Sequence, residues 1–161
     1  MRKKAMRIRR ARPGDFKDIL ALVNDHEPED GLFATRYFKR YFARDPVLAE
    51  DRVYATEIDG KIVGVSGYHY DHFISDYAPW LSWFIVAPEY RGEEKGGVAG
   101  RMLRAVLRIL KSRRIRKVFV ATLGTNGCAI KFYLKHGFEM EGRLCDYYAH
   151  GEDQLILGRY L

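Results

Sequence analysis

Between Trp80 and Leu110 the sequence passes from an apolar strand, through a glycine-bearing loop, straight into an amphipathic helix. Trp80 to Ala87 reads as a strand halted at Pro88, which has no N–H to give a ladder. Arg91-Gly92-Glu93-Glu94-Lys95-Gly96-Gly97 follows as the loop. Val98, Ala99, Met102, Leu103, Val106, Leu107 and Leu110 then recur at helical period, with Arg101, Arg104 and Arg108 opposite them. The first N–H groups of a helix are unsatisfied and carry the positive end of its dipole, so they attract phosphate. Glycines let such backbone approach an anion closely. The loop lacks the Gly-Lys-Ser/Thr ending of a nucleotide-triphosphate loop and does not fit the G-x-G-x-x-G dinucleotide pattern. A strand, a glycine loop and a helix in succession are not specific by themselves.

The flanking sequence supplies the other elements. Arg7 to Arg10 reads as a short strand. Pro13-Gly14-Asp15 offers an N-cap to a helix whose Phe16, Ile19, Leu20 and Val23 share one face. After the acidic segment Asp25-His26-Glu27-Pro28-Glu29-Asp30, residues Phe33, Tyr37, Phe38, Tyr41 and Phe42 make an aromatic face on a second helix ending before Pro46. Arg52 to Ile58 and Lys61 to Tyr70 read as strands joined by an Asp59-Gly60 hairpin. Lys117 to Leu123 is a strand, Gly124-Thr125-Asn126 caps a helix from about Gly127 to Lys135, and Gly137 ends it. Phe138 to Tyr148 and Gln154 to Tyr160 close the chain as strands around a Gly151 turn.

Composition narrows the classes. The 161 residues are a single-domain length, and 47% hydrophobic content excludes a disordered chain. No apolar run approaches the roughly 18 residues of a membrane span. The basic start Met1-Arg2-Lys3-Lys4 has no apolar segment behind it, so it does not read as a signal peptide. Cys128 and Cys145 are too few for a disulfide framework, so a cytoplasmic protein is expected. The net charge of +7 equals the charge of residues 1–12, which hold seven Lys/Arg and no acid. Gly97 to Lys117 adds eight Lys/Arg without a carboxylate, which by charge alone reads as a solvated helix face and otherwise suits a polynucleotide or a small phosphorylated cofactor. Two Asn and one Gln are a low count of labile amides, a hint of a thermophilic source.

Two segments together carry a resemblance. Ile85-Val86-Ala87-Pro88-Glu89-Tyr90-Arg91-Gly92 with Lys95-Gly96-Gly97-Val98-Ala99-Gly100-Arg101-Met102-Leu103 resembles the acetyl-CoA-binding motif of the GNAT superfamily of N-acetyltransferases. Asn126-x-x-Ala129-x-x-Phe132-Tyr133-x-x-x-Gly137-Phe138 resembles that superfamily's second motif. The resemblance runs from Met6 to the end, leaving residues 1–5 as a basic arm and 6–161 as one domain. It implies a mixed, mostly antiparallel α/β sheet of about seven strands flanked by four helices, with a splayed pair of parallel central strands, Trp80–Ala87 and Lys117–Leu123. The sequence departs from the family pattern Q/R-x-x-G-x-G/A, because Glu94 occupies its first position and three extra residues lie in the Arg91–Lys95 region.

The resemblance implies direct acetyl transfer from acetyl-CoA to an amine. Backbone groups of Phe84, Ile85 and Val86 would hold the pantetheine and polarise the thioester carbonyl. The amides of Gly96, Gly97, Val98, Ala99 and Gly100 would hold pyrophosphate, with Arg91, Lys95 and Arg101 as cations. Asn126 and Phe132 of the second motif would contact the cofactor together with Tyr133, which also matches the family's general acid, with plain packing as its alternative. Many relatives carry a glutamate on the strand before the loop. Pro79-Trp80-Leu81-Ser82-Trp83-Phe84-Ile85 has no acid, so the base is unassigned, with Asp71, His72, Asp76, Glu27 and Glu29 as candidates. The missing acid keeps alive a CoA-binding regulatory module without turnover.

Other signals read as structure. His69-x-x-His72 with Asp71 is too sparse for a metal site, and no metal is expected. Cys128, at a helix start, is expected to pack. Trp80, Trp83 and the aromatic helix face are expected in the core, some of them near an acceptor pocket. Asp146-Tyr147-Tyr148-x-x-Gly151-Glu152-Asp153 looks like the closing hairpin of protein N-terminal acetyltransferases, which implies a peptide N-terminus as acceptor beside a small-molecule amine. Neither membrane nor nucleic acid is an expected partner, and a monomer or homodimer is.

Overall fold

The computed structural model describes residues 5–26, 28–71, 75–92 and 97–161, with backbone alone at Glu29, Ser75 and Asp76. Seven strands, β1 (Met6–Arg10), β2 (Arg52–Ile58), β3 (Lys61–Asp71), β4 (Ser75–Val86), β5 (Lys117–Leu123), β6 (Glu139–Ala149) and β7 (Glu152–Tyr160), hydrogen-bond in the order β1-β2-β3-β4-β5-β7-β6. The α-helices are α1 (Phe16–His26), α2 (Gly31–Phe42), α3 (Val98–Ser112) and α4 (Gly127–Lys135). The expected mixed sheet and four helices are therefore present. Strand β4 begins at Ser75, earlier than the expected Trp80, because extended backbone continues through Pro79. No described helix is long and apolar enough to cross a membrane.

The chain divides into two compact units, Met1–His69 with Ser82–Arg108, and Tyr70–Leu81 with Ile109–Leu161. In the first, β1–β2 and β2–β3 pair antiparallel. Asp59 and Gly60 both take positive φ (52° and 79°), as the tight hairpin requires. Ile19, Leu22 and Val23 of α1 and Ala34 and Phe38 of α2 bury against Val53, Ala55, Ile62, Val65 and Ile85. The opposite faces of the strands present Ile58, Val63 and Val86 to Val98 and Met102 of α3. The β2–β3 register shifts at Thr56/Glu57, opposite Ile62 and Gly64, and leaves Val63 as the extra residue. The bulge turns both Val63 and Gly64 toward α3.

The cap expected at Pro13-Gly14-Asp15 is a capping box, with Arg12 at the N-cap and Asp15 three positions on. The Asp15 carboxylate receives the Arg12 N–H at 2.7 Å and is held by the Arg9 guanidinium. The box caps a short 3₁₀ turn, Pro13–Asp15, that leads into α1.

In the second unit β5–β7 and β6–β7 pair antiparallel. Trp80 of β4 stands in parallel register with Phe119 of β5, their rings 5.1 Å apart. Val118, Val120, Phe138 and Leu157 are buried here.

Candidate active site

In the first unit the site-bearing backbone is the end of β4. The Ala87 N–H donates to the Val63 carbonyl at 2.9 Å. Backbone groups of successive strand residues point to alternate sides. Ile85 therefore directs its own N–H and C=O at β3, and Phe84 and Val86 direct theirs to the other edge. A Cβ added at Gly64 would meet the Ile85 carbonyl at 3.1 Å and the Met102 sulfur at 2.8 Å, so glycine is what lets β3, β4 and α3 close together here. One residue before Phe84, Trp83 sits at φ 52°, a conformation that bulky side chains rarely adopt. Sequence reasoning had no signal for that outlier, since left-handed backbone usually announces itself as Gly, Asn or Asp.

Helix α3 starts where its apolar stripe fastens it. Val98 (2% exposed) and Met102 (0%) pack with Val63 and Val86, which brings the first turn to the C-terminal end of β4. Gly97 has φ 58°, and its carbonyl accepts the Arg101 N–H at 3.1 Å. Ala99 and Gly100 are half-buried, and Arg101, Arg104 and Arg108 are exposed along one side of the helix.

Arg91 is engaged within the chain. Its Nε donates to the Val86 carbonyl at 2.8 Å, and its Nη2 lies 2.9 Å from His26 Nδ1. Burial and the neighbouring guanidinium hold the His26 imidazole below its ordinary range. Lys95, Gly96, Glu93 and Glu94 lie outside the described residues.

In the second unit the Asn126 side chain accepts the Ala129 N–H at 3.1 Å and caps α4. Helix α4 ends at Gly137, φ 77°. Phe132 and Tyr133 are consecutive on this helix. The Tyr133 ring is 5% exposed and lies edge-on to Phe132 and Phe138, each at 5.3 Å. Burial pushes its phenol well above the ordinary range, so the proton is held tightly. Cys128, expected to pack, is exposed at the start of α4. A nine-residue helix buries one stripe, and among the described α4 side chains Tyr133 is the one that lies fully inside.

Of the candidate bases, Asp71 is half-buried at the end of β3. Glu27 and His72 lie outside the described residues, and the side chains of Glu29 and Asp76 are not described. Among the described residues no group of three His, Cys, Asp or Glu is arranged to hold a metal ion. The closing hairpin holds Tyr147 and Tyr148 exposed and edge-on to each other at 5.2 Å, and the Tyr148 hydroxyl accepts from Gln154 Nε2 at 2.9 Å.

An Elizabethkingia anophelis GNAT family acetyltransferase, solved with acetyl-CoA bound, is 16% identical at TM-score 0.72, covering 99% of this chain and 100% of its own. Ribosomal-protein-alanine N-acetyltransferase from Brucella melitensis is 22% identical at TM-score 0.79, covering 96% and 99%. A Desulfovibrio desulfuricans chain described as an acetyltransferase of the GNAT family is 21% identical at TM-score 0.84, covering 97% and 99%. At such identities these likenesses speak for the fold. No curated protein matches the chain. The profile of the acetyltransferase (GNAT) family matches residues 18–138, three-quarters of the sequence. The chain belongs to the acetyltransferase (GNAT) family, whose acetyl donor is acetyl-CoA.

Proposed function

We propose that the protein transfers acetyl from acetyl-CoA directly to a primary amine. The observation that carries the reading is the fastening of the α3 N-terminus to the end of β4 by Val98 and Met102. The amides from Gly96 to Gly100 then receive the pyrophosphate, with Lys95 and Arg101 as the nearby cations. Arg91, held by the Val86 carbonyl and His26, stands with them as a third candidate cation. Phe84 offers its backbone and Val86 its N–H to the pantetheine and the thioester oxygen, the Val86 carbonyl being held by Arg91, and Ile85 supports them from the β3 side. Asn126 and Phe132 place Tyr133.

The chemistry balances simply. The amine nitrogen attacks the thioester carbon, the C–N bond forms and the C–S bond breaks. The leaving thiolate takes the Tyr133 proton, and the nitrogen loses one proton to a base. Asp71, His72, Asp76, Glu27 and Glu29 are the candidates for that base. Holding the phenol protonated over the working range fits a donor role. A peptide N-terminus as acceptor is supported by the exposed Tyr147 and Tyr148 pair. Two free, exposed cysteines suit a cytoplasmic protein.

Purified protein is mixed with acetyl-CoA and a panel of amines and peptides while free thiol is followed. Thiol release that requires an acceptor supports the enzyme. CoA binding without turnover across the panel favours the regulatory module.

A further inference from the structure

Trp83 holds a left-handed backbone inside a strand. A bulky residue keeps such a conformation only where its surroundings over-determine it. Its surroundings are one side of α2. Phe33 stacks on the indole at 5.9 Å and 24°, Tyr37 lies tilted at 5.3 Å, and Phe38 lies tilted at 4.8 Å.

The helix bearing these rings is anchored in turn. The Tyr37 hydroxyl donates at 3.0 Å to the Asp51 carboxylate, which is 2% exposed. The Tyr41 hydroxyl accepts the Val53 N–H at 3.1 Å. Both anchors lie at the start of β2, so the rings over Trp83 have a fixed backing. Ser82, the residue before, has its hydroxyl buried with no hydrogen-bond partner. Backbone strain and an unmet polar group thus fall on consecutive residues, immediately before Phe84. Costs of this kind collect where they serve a site.

We propose that the aromatic side of α2, pinned through Tyr37 to Asp51, is the positioning device that keeps Trp83 left-handed and so aims the Phe84 and Val86 backbone at the thioester. The proposal deepens the functional reading above and rests on it. Trp83 and Tyr37 are positioning residues, acting through the backbone that follows them. The device works because the aromatic contacts offset the backbone cost; without the ring, only a residue tolerant of positive φ keeps the kink.

Titration calorimetry with acetyl-CoA and with free CoA tests this without needing the acceptor. Trp83→Gly and Trp83→Ala both remove the ring, but glycine adopts positive φ freely. Trp83→Gly should bind acetyl-CoA about 5- to 30-fold more tightly than Trp83→Ala, the population penalty on a left-handed alanine. Free CoA, which keeps the pantetheine but lacks the thioester carbonyl, should separate the two variants by a smaller factor. Tyr37→Phe should weaken acetyl-CoA relative to CoA in the Trp83 protein and leave that ratio unmoved in the Trp83→Gly protein. Equal acetyl-CoA binding by Trp83→Gly and Trp83→Ala overturns the proposal while leaving the acetyltransferase reading intact. Failure of the unaltered protein to bind acetyl-CoA overturns both. Tyr37→Phe guards against unfolding of the Trp83 variants, since it keeps the ring and its packing. Loss of melting temperature in Tyr37→Phe without a change in the ligand ratio also counts against the proposal.

Discussion

Arg9 grips Asp15 through both carboxylate oxygens, at 2.7 and 2.9 Å, and its Nε reaches Glu57 at 2.9 Å. One guanidinium thereby ties β1 to the turn before α1 and to β2. The fork geometry suits arginine, and lysine could not reproduce it.

The Arg9 bond holds the Asp15 carboxyl below the usual carboxylate range, against an opposing push from burial. A carboxylate of lowered pKa adds stability that is complete above about pH 4 and is lost as pH falls through its folded value. Asp15→Ala should cost about 2 kcal/mol at pH 7. Urea unfolding of Asp15→Asn should show a flatter decline of stability below about pH 4 than the unaltered chain. Parallel acid limbs in the two proteins would contradict the assignment.

Gly97 occupies φ 58° at the start of α3. Gly97→Ala should destabilise by about 1 kcal/mol. It should also weaken acetyl-CoA binding several-fold, because the amides that follow lose their aim. Calorimetry on the folded variant checks both, and unchanged affinity would show that phosphate is held elsewhere.

Tyr133 is 5% exposed. Tyr133→Phe deletes one oxygen and keeps the ring contact with Phe138. Acetyl transfer should fall about 100-fold or more, with acetyl-CoA affinity retained. The pH–rate profile of the unaltered enzyme should show no alkaline loss at the ordinary phenol value of about 10, because burial raises the phenol and its acid form persists above that pH. A Phe variant of full activity would assign Tyr133 to packing.

Gly64 lies under Met102 and the Ile85 carbonyl. Gly64→Ala should cost about 1–3 kcal/mol through overpacking, read as a lower melting temperature. Met102→Ala is itself costly but makes room, so Gly64→Ala should cost less in the Met102→Ala protein than in the unaltered one. Strict additivity of the two changes would argue against the contact.

Much of this protein is legible along the chain. The periodicity of Val98 to Leu110, the Asp59-Gly60 hairpin, the Asn126 cap and the Gly137 stop are local signals, set by neighbours within a few residues, and each appears where its chemistry places it. The two family motifs are also contiguous segments, which is why they could be recognised without a structure. Pro13-Gly14-Asp15 reads as a cap because capping is a local preference, and Asp15 does receive the Arg12 N–H; its further partner Arg9 comes from a strand, and no spacing rule announces that choice. Cys128 looked buried on residue type, yet a short helix has one inward stripe and Tyr133 takes it.

What tertiary structure decided lies in long-range packing. Trp83 is an unremarkable strand residue by propensity, and it becomes left-handed only beneath Phe33, Tyr37 and Phe38 of a helix more than forty positions earlier in the chain. Arg91 reads as a phosphate-binding cation in a glycine-bearing loop, and the fold also brings its guanidinium to Val86 and His26. In each case a side chain's partners are chosen by which elements meet in space. Hydrophobic burial makes that choice, and it is not written in any single stretch of sequence.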